Sequence, residues 1–159
     1  MKRRNYSVLS AAVLCVLCFG TVSVSPQSSG KALRETVYVP VYSSIMHSDL
    51  KWEFMLSVTL SIHNVDINNA IIIESIDYYN TTGKLIHSYI GREKKVLQPL
   101  ETYNIGIKEA DNRGGVGANF IVRWRSQVKV NRPIVETIMI GTKGQQGLSF
   151  TSRGVVIEE

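Results

Sequence analysis

Gly114-Gly115-Val116-Gly117-Ala118-Asn119 is a dense glycine cluster, and closely spaced glycines can bring backbone amides up to a bound phosphate. Phosphate loops follow a strand, open a helix and close on a Lys-Ser/Thr pair. Here the glycines precede a strand-like run and no such pair follows. A tight turn between strands, partly left-handed, fits them better. His47, His63 and His87 are too scattered to share a metal, so no metal or cofactor is expected. The serines form no Gly-x-Ser-x-Gly elbow, and Glu74 and Asp77 read as outward positions of a strand. With no catalytic constellation in view, the chain does not read as an enzyme.

Recognition chemistry is better represented. Arg123, Arg125, Lys129 and Arg132 form a basic row interleaved with apolar residues, which a solvated strand face explains. Asp111, Arg113 and Asn119 flank the glycine turn, and Thr151, Ser152 and Arg153 follow the polar run Gly141–Gly147. Both groups carry more hydrogen-bonding side chains than a bare turn requires, and either arginine could pair with a carboxylate or phosphate. Loops on a rigid scaffold commonly carry recognition. These two candidate binding loops either meet at one end of the domain as a functional surface or merely terminate strands. Asn80-x-Thr82 matches a glycosylation sequon, which matters only where the host modifies such sites.

The elements that must position these residues are strands. Phe54, Leu56, Val58, Leu60 and Ile62 alternate with Met55, Ser57, Thr59, Ser61 and His63, predicting a half-buried strand over Glu53–Asn64. Ala118–Ser126 repeats the pattern with Phe120, Val122 and Trp124 inward, and Tyr103, Ile105 and Ile107 repeat it again. Between Ile71 and Tyr79 the apolar face switches after Ile73 to Ile76 and Tyr78, which predicts a β-bulge near Glu74-Ser75. Leu85–Ile90 and Ile134–Ile140 complete the central set. Asn80-Thr81-Thr82-Gly83 reads as a hairpin loop. Pro40 cannot donate to a ladder, so Thr36–Tyr42 is expected at a sheet edge. About seven strands with frequent turn signals predict an all-β, immunoglobulin-like antiparallel sandwich over residues 36–159.

The N-terminus reads as a targeting segment. Lys2-Arg3-Arg4 precedes an apolar run from Val8 to Phe19, then small residues from Gly20 to Ser25. That run is shorter than the ~20 residues needed to span a bilayer and fits a signal peptide over residues 1–25, cleaved after Ser23. The alternative is an uncleaved anchor using residues 6–25; either places the domain outside the inner membrane, periplasmic or extracellular. Cys15 and Cys18 both lie within the apolar run, so the exported domain would hold together without disulfides. Residues 26–35 read as a flexible linker. Losing Lys2, Arg3 and Arg4 lowers the formal net charge of +5 to +2, too weak to argue for nucleic acid. Membrane contact is expected only through the N-terminal segment.

Several motifs taken together carry a resemblance. They are Val37-Tyr38-Val39-Pro40-Val41-Tyr42-Ser43, Leu56–Ile62, and Asp77-Tyr78-Tyr79 with Gly83-Lys84-Leu85. Gly114–Val122 with Trp124 follows, then Met139–Thr142 and Ser149–Gly154. With these, the chain resembles a family of exported bacterial proteins known as domain of unknown function 3124. The resemblance implies an exported single-domain protein and supplies no functional residue. The expectation is a non-catalytic binding or interaction module of the cell envelope, its partner an envelope protein or ligand not named by the sequence. The alternative is an envelope hydrolase whose site is built from loops.

Overall fold

The computed structural model describes residues 30–49, 52–142 and 147–159. The expected targeting segment, both cysteines and the first part of the linker lie outside the described residues. The described chain is all β, with twelve strands where about seven were expected: β1 Lys31–Val41, β2 Ser44–His47, β3 Trp52–Met55, β4 Ser57–His63, β5 Ile71–Tyr79, β6 Leu85–Ser88, β7 Lys95–Leu97, β8 Thr102–Ile107, β9 Ala118–Asn131, β10 Ile134–Gly141, β11 Leu148–Arg153 and β12 Val155–Glu158. One sheet runs β12-β1-β9-β5-β6, with β7 also on β5; the second runs β11-β10-β4-β8; β2 and β3 form a separate hairpin. Every pairing is antiparallel.

The alternating residues make the core. In the second sheet, Ile62 stands between Val135 and Tyr103, Leu60 between Thr137 and Ile105, and Val58 between Met139 and Ile107. In the first, Val37 and Ile76 flank Val122, Val39 and Tyr78 flank Phe120, and Ile73 pairs with Trp124. These inward side chains form one buried cluster. Each contributes on the order of 1.5–3 kcal/mol when fully buried, so packing alone can hold the sandwich. Thr137, fully buried, donates from Oγ1 to the Pro40 carbonyl at 2.9 Å and links the two sheets.

The expected bulge is present: the β5–β9 register shifts between Ile73 and Ser75, and Ile71, Ile73, Ile76 and Tyr78 are all fully buried. Gly83 turns the β5–β6 hairpin at φ +76°. Three boundaries differ. The expected strand over Glu53–Asn64 breaks at Leu56, whose amide donates to Ser43 at 2.9 Å, so its first part folds back as the β2–β3 hairpin. The linker ends earlier than expected, because Lys31–Glu35 already belongs to β1. Nor is β1 an edge strand; it lies between β9 and β12. Pro40 is tolerated because β12 pairs only with Thr36–Tyr38. A strand residue's N–H and C=O point the same way, and the Pro40 carbonyl faces Thr137 rather than β9, so its missing N–H interrupts no ladder.

Candidate functional site

The two expected binding loops sit apart. Asn119 opens β9, paired with Pro40 and Tyr79, whereas Arg153 lines a cavity with Asn131 and Arg132 at the other end of that strand. They form no common surface. Thr151, Ser152 and Arg153 are not loop residues at all; they run in β11 opposite Ile138, Thr137 and Glu136. The break in regular structure lies at Gly154, where the chain crosses from one sheet to the other.

The glycine turn is tied down from within. Thr81 donates from both its amide and its Oγ1 to the Gly114 carbonyl at 2.9 Å, and its Oγ1 accepts from the Gly117 amide at 3.0 Å. Ser43 donates from Oγ to the Gly115 carbonyl at 3.2 Å. Gly115 needs its freedom at φ +76°, and Gly114 needs its lack of a side chain: a Cβ there would lie 1.9 Å from the Tyr78 hydroxyl. Arg113 forks onto Asp111, Nε to Oδ1 at 2.8 Å and a terminal nitrogen to Oδ2 at 2.7 Å, which holds the carboxyl below its ordinary range. Burial pushes the hydroxyls of Tyr78 and Tyr89 up. This is a closed corner of the fold.

Two members of the basic row are likewise answered. Arg123 meets Asp77 at 3.0 Å and Arg125 meets Glu74 at 2.8 Å. The histidines serve locally. Thr102 Oγ1 lies 2.9 Å from His63 Nδ1, His87 packs edge-on to Tyr89, and His47 lies edge-on to Phe54. Asn80 Oδ1 accepts from the amides of Thr82 and Lys84, shaping its own turn.

The other end of β9 is open. A cavity of about 340 Å³ lies where β1, the β9–β10 turn and the β11–β12 crossing converge. Val37, Val65, Pro133, Ile134, Val135 and Val156 supply apolar walls; Glu35, Arg132 and Arg153 supply charge. Gly154 permits the crossing, because a Cβ there would meet Val37 at 2.6 Å and the Val135 carbonyl at 3.1 Å. Glu35 is buried in register with Trp124, and Arg132 Nε lies 2.7 Å from its Oε1. Burial pushes the Glu35 carboxyl up, Glu159 adds to this, and Arg132 and the Trp124 indole only partly offset it. The outer side of Arg132 pairs with Glu159. Arg153 is exposed and makes no ion pair with any described residue.

The rim is shaped by the β4–β5 loop. Asp66 accepts from the amides of Asn131, Asn68 and Asn69 and from the Asn69 side chain, which hold it down to about 2. That clamp fixes Val65 and Asn131 beside the cavity. A second, shallower depression of about 360 Å³ lies across Glu35, edged by Arg34, Arg123, Glu74, Glu158 and Glu159.

Sequence reasoning overlooked Glu35, and took Arg132 for one of a solvated row. The signal was there: Glu35 shares the parity of Val37, Val39 and Val41, so a strand continued two residues upstream turns it inward. Neither residue type suggests burial unless paired, and the pair is distant in sequence.

Among curated proteins none matches the chain. A solved structure titled "Crystal Structure of Thermotoga maritima 1070" is similar at 12% identity with a TM-score of 0.47, covering 78% of this chain and 95% of that one. The family model described as protein of unknown function DUF3124 matches residues 34–157, from within β1 to within β12, and the chain belongs to that family.

Proposed function

We propose that this protein is a non-catalytic binding module of the bacterial cell envelope and that it binds through the cavity beside Arg153. One observation carries the reading: an apolar-walled cavity of about 340 Å³ has a guanidinium at its rim with no partner among the described residues. Cavities of this size and mixed lining are usual for small ligands or an inserted side chain. An unpartnered arginine on a cavity wall can make a charge-assisted, two-pronged contact without first breaking another. The binding role expected of Arg153 thus moves from a loop to a strand end. The envelope location is supported by the cationic and apolar N-terminal pattern of the sequence.

The test uses the purified chain as bait in bacterial envelope extract. Wild type and Arg113→Ala should capture the same partner or ligand, and Arg153→Ala should lose it. Equal capture by all three proteins would overturn the assignment of the site.

A further inference from the structure

We infer that the cavity takes a small amphipathic monocarboxylate, and that Glu159 competes with that carboxylate for Arg132. The inference rests on the binding role proposed above and adds the ligand's chemistry. Arg132 stands between two carboxylates that differ sharply in how they are held. Glu35 has a side chain only 1% exposed, so it cannot turn away into water. Glu159 is 66% exposed and follows the last residue of β12, and Arg132 is its only ion-pair partner among the described residues. With Glu159 this exposed, the pair can open on that side and be exchanged for another carboxylate. Arg132 lines the cavity whereas Glu159 lies outside it, on the neighbouring depression, so a carboxylate entering the cavity would draw the guanidinium off Glu159.

Charge selects the ligand class. Among the residues that line the cavity, Arg132, Arg153 and Glu35 leave one net positive charge, which a monoanion neutralises. A phosphate dianion would leave excess negative charge next to a carboxylate already pushed up by burial. Val37, Ile134, Val135 and Val156 then require an apolar body behind the carboxylate.

Calorimetric titration of the purified chain with octanoate, octanol and octyl phosphate tests this. Octanoate should bind saturably, and the other two at least about tenfold more weakly. Glu159→Gln should tighten octanoate binding several-fold, while Arg153→Gln should weaken it about tenfold. Octanol binding as tightly as octanoate, or a Glu159→Gln affinity equal to wild type, would overturn the inference. Octanoate failing to bind while Arg153→Ala still loses capture from envelope extract would overturn the carboxylate inference and leave the binding role standing. Unchanged capture by Arg153→Ala would remove the binding role itself.

Discussion

At the Ala118 end of β9, the Gly114 and Gly115 carbonyls and the Gly117 amide are answered by Thr81 and Ser43, and Arg113 is closed on Asp111. At the Asn131 end, an apolar cavity opens beside Arg153, whose guanidinium meets no described carboxylate. Both ends contain the residue types that suggest recognition: an arginine, an acidic neighbour and glycine. Composition does not separate them; hydrogen-bond satisfaction does. A polar group already bonded must break that bond before it meets a ligand, so the closed end has little to offer.

The comparison presumes one shared core, and the largest effect should come from removing it. Trp124→Ala should lower stability by about 3–5 kcal/mol, because its large side chain is almost fully buried next to Ile73 and Glu35. Arg123→Ala, on the outward face, should cost at most about 1 kcal/mol. Chemical denaturation measures both, and equal losses would mean that the faces of β9 are assigned wrongly.

Gly114→Ala sharpens the contrast. The new methyl would meet the Tyr78 hydroxyl at 1.9 Å and Ala118 Cβ at 2.9 Å, and Tyr78 is fully buried with little room to retreat. A loss of about 1–3 kcal/mol is expected from such overpacking, with capture by the folded fraction unchanged. Lost capture in a stably folded Gly114→Ala protein would return function to the glycine turn.

Acid should weaken the Asp66 clamp at the open end only at low pH. The folded state holds Asp66 down to about 2, against an ordinary 3.8, so the clamp's contribution is fully present above that ordinary value. It should be lost as pH falls toward 2. Asp66→Asn should abolish this part of the acid dependence, followed by stability at a series of pH values. An unchanged acid profile would show that the clamp contributes nothing.

The smallest effect on stability is expected at Arg153. Arg153→Ala should change stability by no more than about 0.5 kcal/mol, since the side chain is exposed and forms no ion pair among the described residues. A thermal melt measures it.

The strands were legible because their signal is local. Alternation from Leu56 to Ile62 and the change of parity after Ile73 each identify a face and a bulge without reference to any other segment. The site was only partly legible because it is assembled from distant pieces. Glu35 and Arg132 become a pair only once β1 and the end of β9 lie side by side, and Val65 reaches the same cavity through a loop fixed by Asp66. Arg153 was visible as a candidate, but its expected neighbour Asn119 was not where the topology put it. Arg113 has its partner Asp111 two residues away in sequence, whereas nothing local in Arg153 reveals that it meets no described carboxylate.

Hydrogen exchange on the chain alone and bound to whatever it captures from envelope extract tests the central claim most directly. Added protection is predicted at the amides of Val135, Gly154 and Val156 around the cavity, with Gly115 and Gly117 unchanged. Protection gathered at the glycine turn, with the cavity amides exchanging as before, would contradict it.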